Sequence, residues 1–253
     1  MDPSIVALLF AAGLAGGIIN AVAGGATLIT FPAMLAAGVP PVTANASNAV
    51  AISPGHLIAA FADREKLPPF DRQLGAALAV SIAGGIAGAL LLLALPDRIF
   101  VLPVPALIGL ATALFAFAPA IQAWSERRRA GAPPSAMAER ITLGAASVYG
   151  GFFGAGLGIV LSAILSIAEP NDIRKVKVLK NLLATGVSLA AIGIFVVQGM
   201  VRWPETAVML AGALVGGYAG GHLVRVLPAR LVQWFVIVAG AVMTLVYAHR
   251  YWL

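Results

Sequence analysis

From Gly75 to Leu95 the chain reads GAALAVSIAGGIAGALLLLAL, 21 residues without one charge, and comparable apolar runs recur from end to end. A helix of about 18 to 20 such residues crosses roughly 30 Å of hydrocarbon. Hydrophobic residues make up 60% of the chain and charged ones 10%, with a mean hydropathy of +0.97. That balance lies outside the range of a soluble domain. The runs lack the polar/apolar alternation of barrel strands, so the fold class expected is an all-α polytopic membrane protein. The start, MDPSIVALLF, has no basic segment and is not read as a cleaved signal peptide. Cys is absent, which excludes disulfides, thiol catalysis and cysteine metal sites. The net charge of +6 would suit nucleic acid, but in a membrane chain excess Lys and Arg marks cytoplasmic loops. Lipid is the expected surroundings, and no nucleic-acid partner is expected.

The chain also repeats itself. GGIINAVAGGATL (16–28) resembles GGFFGAGLGIVL (150–161), and ASNAVAI (46–52) lines up with LKNLLAT (179–185). AGGIAGALLLLALPDR (83–98) matches VGGYAGGHLVRVLPAR (215–230), keeping Gly84/Gly216, Gly85/Gly217, Gly88/Gly220, Pro96/Pro228 and Arg98/Arg230. The offset stays near about 130 residues. Two homologous repeats are therefore expected, 1–123 and 141–253, joined by the polar linker 124–140. Basic residues cluster at 63–72, in the linker and at 174–180, while 36–44 carries no charge. The positive-inside rule puts those three clusters in the cytoplasm and 36–44 outside. With the linker and 174–180 on one side, 141–168 must enter and return, and its counterpart 4–36 must do so from the other face. Each repeat then reads as a hairpin, re-entrant or made of two short spans, plus three transmembrane helices. These fall at about 44–62, 73–95 and 101–123, and again at about 181–199, 206–225 and 231–249. An odd number of crossings per half makes the topology inverted, with both termini outside; His249 and Arg250 at the outer end run against the charge rule.

Gly24 and Gly25 in the first hairpin, and Gly154, Gly156 and Gly158 in the second, are natural helix breaks. Paired Gly-interrupted segments at matching places of two halves point to a transporter's substrate site. Broken helices expose amides and a positive dipole end, which suits an anion. The competing explanation is close helix packing through small residues. A second constellation is TANASNAVAISPGH (43–56), where Asn45, Asn48, Ile52 and His56 share one helical face and Pro54-Gly55 should bend or break the helix. Its counterpart puts Lys177, Asn181 and Ser188 on one face with Lys180 beside it; Lys180 aligns with Ser47 and Asn181 with Asn48. The candidate substrate-binding set is Asn20, Gly24, Gly25, Asn45, Ser47, Asn48, Gly156, Gly158, Lys180 and Asn181. The alternative roles are helix–helix hydrogen bonding for the amides and charge anchoring for the lysines. His56 and His222 are candidates for proton coupling, or else interfacial side chains. Asn45-Ala46-Ser47 matches a glycosylation sequon by chance, and GAGLG at 154–158 lacks the setting of a dinucleotide loop. No P-loop, nucleophile–base pair or His-rich metal cluster is present, so neither an enzyme nor a cofactor is expected.

At these residues the chain resembles the sulfite exporter TauE/SafE family. The likeness runs through GIINAVAGGATLITFPAMLAAGVPPVTANASNAVAISPG (17–55), YGGFFGAGLG (149–158), LKNLLATGVSLAAIGIFVVQGMVRW (179–203) and GGYAGGHLVRVLP (216–228). It covers nearly the whole chain apart from the linker, and departs from the family pattern at Ala26, Ser47 and Ser188. The resemblance implies export of sulfite, sulfonates or related sulfur compounds through the bacterial cytoplasmic (inner) membrane. The expected function is thus a secondary transporter of a small anion, by alternating access between the repeats. A passive anion channel and a non-transporting scaffold or partner subunit are the alternatives, and a homo-oligomer stays open.

Overall fold

The computed structural model describes residues 1–22, 25–55, 67, 69–128, 135–168, 173–223 and 229–253. Among the described residues every regular element is a helix. The order is α1 (Pro3–Val22), α2 (Thr27–Ala36), α3 (Pro41–Ile52), α4 (Arg72–Leu93), α5 (Asp97–Phe100), α6 (Val104–Ala116) and α7 (Ala118–Arg128). Then follow α8 (Ala136–Phe152), α9 (Leu157–Ala168), α10 (Ile173–Val197), α11 (Trp203–Leu223) and α12 (Ala229–Trp252).

Local chemistry sets the limits. Pro41 opens α3, where its missing N–H costs nothing, and the Asp97 carboxylate accepts from the next amide, Val42, at 2.9 Å. Asp71 and Ser135 cap α4 and α8, accepting from the amides of Leu74 and Ala138 at 2.8 and 3.2 Å. α3 ends at Ile52, just before Pro54-Gly55. The segment expected as a span at about 101–123 forms two helices, α6 and α7, bent by 61°. Pro119 causes the bend, because it offers no N–H to the carbonyl of Phe115, four residues back, and its ring crowds that oxygen. Gln233 of α12 takes over, donating from Nε2 to the stranded carbonyl at 3.0 Å.

Four helices are long and apolar enough to cross a membrane, at Pro3–Ala21, Arg72–Leu93, Lys175–Val197 and Leu231–Trp252. The bent pair α6–α7 would make a fifth. Both expected hairpins have a long arm and a short one: α1 with α2, and α8 with α9. The short arms have 10 and 12 residues. At about 1.5 Å per residue they rise only about half of the hydrocarbon.

Lipid gives helices no hydrophobic reason to meet, so their association depends on close packing. The most extensive contacts join α1 to α11 and α4 to α8. A methyl built on Gly13 would fall on the carbonyl of Met209, and one on Gly17 on that of Ala213. Gly212 and Gly216 meet the carbonyls of Phe10 and Leu14 in the same way. Residue numbers climb together along this seam, so the two helices run parallel. Between α4 and α8, likewise parallel, Gly88 meets the carbonyl of Val148 and Gly151 that of Gly85. Each seam joins a helix from the first half of the chain to one from the second.

The apolar side chains form two cores. One gathers Leu74, Leu143, Leu161, Leu165, Leu183 and Val187 from α4, α8, α9 and α10. The larger one includes Leu9, Phe31, Met34, Ile108, Met209 and Val236, from α1, α2, α6, α11 and α12. Trp234, Phe235, Val238 and Leu245 of α12 stay exposed, as suits a lipid-facing helix.

The seams make a direct prediction. Gly88→Val and Gly216→Val each push backbones apart, and overpacking of that kind costs about 1–3 kcal/mol. Their melting temperatures in detergent should fall by several degrees. Gly193→Ala adds a methyl with nothing within 4 Å of it and should hold or raise stability. Equal melting temperatures for all three variants would refute the seam.

Candidate functional site

The short arms begin at left-handed glycines. Gly25 has φ +92°, Gly154 +77° and Gly156 +80°, a backbone region that residues with a Cβ enter only under strain. A methyl on Gly25 would come within 2.8 Å of Cζ of Phe115, and one on Gly156 within 3.2 Å of Cδ1 of Leu114. Both hairpin breaks therefore meet consecutive residues at the end of α6, just before its bend.

The two arms start alike. Thr30 Oγ1 donates to the carbonyl of Ala26 at 2.9 Å, and Ser162 Oγ to that of Gly158 at 2.7 Å. Side chains from elsewhere hold the second break open. The Tyr149 hydroxyl donates to the carbonyl of Ala155 at 2.6 Å, and Asn45 Nδ2 donates to that of Phe152, the last residue of α8, at 2.8 Å. Phe153 packs edge-on against Phe31 with centroids 5.4 Å apart. The amide of Gly158, in the first turn of α9, has no acceptor among the described residues. First-turn amides lack an intrahelical partner, and they carry the positive end of the helix dipole.

α10 runs beside this arm. Lys180 passes it with Cδ 3.9 Å from a methyl built on Gly158. Among the described residues no carboxylate pairs with Lys180. Asn181, next in the chain, is 5% exposed. α3 touches α10 and carries Asn48, 2% exposed, whose Oδ1 finds no donor. A buried amide oxygen without a donor is costly.

The other predicted residues have different surroundings. Asn20 lies against the chain just past α3, its Nδ2 2.7 Å from a methyl built on Gly55. Ser47 is fully buried and accepts from the amide of Arg202 at 2.9 Å, so it supports the backbone leading into α11. His222 is exposed near the end of α11, its Nδ1 donating to the carbonyl of Tyr218 at 3.0 Å and its ring 4.8 Å from the Tyr218 ring. Gly24 and His56 lie outside the described residues. Among the described residues no three His, Cys, Asp or Glu side chains gather as metal ligands would. Sequence reading missed Tyr149 and Gln233, whose signal is a lone polar tip in an apolar run with a helix break within reach. It also missed Glu205, a carboxylate only 8% exposed.

Residues 9–247 match the family described as Sulfite exporter TauE/SafE. The chain is 27% identical over 246 residues to the "Probable membrane transporter protein YfcA" of Escherichia coli K12, covering 96% of this chain and 90% of that protein. It is 28% identical over 240 residues to a "Probable membrane transporter protein" of Haemophilus influenzae, covering 95% and 93%. A third relative, "Probable membrane transporter protein ORF9" of a Sinorhizobium species, is 26% identical over 237 residues. No solved structure matches. A helical membrane chain matched over nearly its whole length, by the family and by these transporters alike, belongs to the sulfite exporter TauE/SafE family of membrane transporters.

Proposed function

We propose that the chain is a secondary transporter that exports a small sulfur oxyanion, sulfite or an organosulfonate, across the bacterial cytoplasmic membrane. The observation that carries this reading is that both hairpin breaks lie against Leu114–Phe115, with the Gly158 amide open and Lys180 alongside without an acidic partner among the described residues. A helix N-terminus and an unpaired ammonium attract an anion, and neither suits a cation. Asn48 and Asn181 supply buried amides from two helices in contact. The left-handed backbone at Gly25 supplies the first hairpin's side. Asn45 and Ser47 hold the scaffold through the carbonyl of Phe152 and the amide of Arg202. The family's description supports the sulfur oxyanion class. The curated relatives support membrane transport without a substrate.

Alternating access then works with seams that join the two halves. α1 moves with α11 and α8 with α4, because backbones in van der Waals contact through glycine cannot slide past each other's carbonyls. The hairpin breaks face one side of the membrane and then the other as these pairs tilt.

Purified protein in liposomes should move sulfite or a sulfonate saturably. Lys180→Met should weaken binding about tenfold or more, the loss of one hydrogen bond to a charged group at about 1.5–3 kcal/mol. Its melting temperature should not fall. Asn48→Ala and Asn181→Ala should each abolish binding and leave a folded protein. Fast, non-saturable passage of unrelated anions would point to a channel. Variants that unfold yet bind normally in the residual folded fraction would point to a scaffold. If no sulfur oxyanion on a broad panel binds or moves, the reading is wrong.

A further inference from the structure

The start of α11 holds a polar group that the site above does not use. Glu205, third residue of the helix, is 8% exposed. Its Oε1 meets one Arg202 nitrogen at 3.4 Å, a long contact to a side chain that is itself 59% exposed. Its Oε2 is buried without any hydrogen-bond partner. The next residue, Thr206, is 1% exposed, and its hydroxyl oxygen is also unpartnered. Ser47 reaches across from α3 and ties the junction by accepting the Arg202 amide at 2.9 Å.

A carboxylate oxygen taken from water without a donor is expensive unless positive charge reaches it. The helix dipole at this first turn favours the anion but does not neutralise it. The helices packed on α11 bring no charge either, since neither α1 nor α3 contains an ionisable side chain. Ahead of α1 stand the exposed Met1 amino group and Asp2, and the Asp2 carboxylate is engaged by Ser4. On α11 itself Tyr218 and His222 lie in its last turns. Among the described residues Arg202 is thus the one charged neighbour of Glu205, and it leaves Oε2 open.

We propose that Glu205 binds a monovalent cation, a proton or Na+, whose movement drives the anion's transport. A single positive charge at Oε2 neutralises the carboxylate. The aligned residue of the first half is Gln73, uncharged and of the same shape, so the coupling site belongs to one half only. The proposal rests on the transporter reading but has its own test.

In liposomes, sulfite accumulation by the wild type should rise under either an imposed pH gradient without Na+ or an imposed Na+ gradient at equal pH. Whichever gradient acts identifies the cation. Glu205→Gln should cut that response by about tenfold, within the usual range of coupling between two sites, while sulfite–sulfite counterflow persists. A wild type indifferent to both gradients, or a Glu205→Gln variant that responds like the wild type, overturns the proposal. If no anion moves at all, the transporter reading fails separately, and cation binding decides. Replacing choline by Na+ at constant ionic strength should raise the melting temperature of the wild type but not of Glu205→Gln. Alternatively, infrared spectra should show a protonated carboxyl band that Glu205→Gln lacks. Absence of both differences overturns the cation site. Should Glu205→Gln fail to fold, Glu205→Asp, which draws the carboxylate back by one methylene, must weaken the gradient response several-fold while counterflow persists, or the proposal falls.

Discussion

Inside hydrocarbon a backbone N–H or C=O has no water to turn to, and each one left unpaired costs several kcal/mol. This protein interrupts its helices repeatedly, and a side chain from another part of the chain attends most of the interruptions. Gln233 serves the carbonyl of Phe115 where Pro119 breaks α6 from α7. Asn45 serves the carbonyl of Phe152 and Tyr149 that of Ala155 at the second hairpin break. Ser47 accepts the amide ahead of α11, and Asp97 one of the first amides of α3. Against that background stand the groups left over among the described residues: the Gly158 amide, Asn48 Oδ1, Ser81 Oγ, Glu205 Oε2 and Thr206 Oγ1. In a fold that satisfies its polar groups so widely, the remainder is where ligands are expected.

The second constraint is closeness. Helices in lipid are held by contact rather than by exclusion of water, and glycine lets two backbones touch. The α1–α11 and α4–α8 seams use this contact, and both tie a helix from the first half of the chain to one from the second. The cores follow the same partition: one unites α4 with α8, α9 and α10, and α11 contributes Met209 to the core of α1 and α2. A halfway cut through the sequence therefore does not divide the protein into two separately packed bodies. Any motion that opens the hairpin breaks must respect the seams.

Much of this was legible in the amino-acid order. Apolar run length announced the membrane helices, Pro41 and Pro54-Gly55 bounded α3, and Gly25, Gly154 and Gly156 marked the breaks, whereas Gly158, also expected as a break, lies inside α9. The bend within 101–123 was legible too, through Pro119, but apolar content alone masked it. The site was harder to read. Residue type pointed to Asn45 and Ser47 as ligands, whereas both spend their side chains on backbone groups far away in sequence. Glu205 gave no signal in the sequence, since nothing near it in the chain reveals burial.

By itself, then, the sequence determined that the chain is a helical membrane protein and which family it belongs to. These properties depend on run length, on proline and glycine, and on motif order, all of which are local. Only the tertiary structure decided that two breaks about 130 residues apart meet at Leu114–Phe115, which amides brace and which stay open, and that a carboxylate at the start of α11 is buried. Those outcomes depend on which helices touch. That choice is made by shape and polar satisfaction across the whole bundle, which no local stretch of sequence encodes.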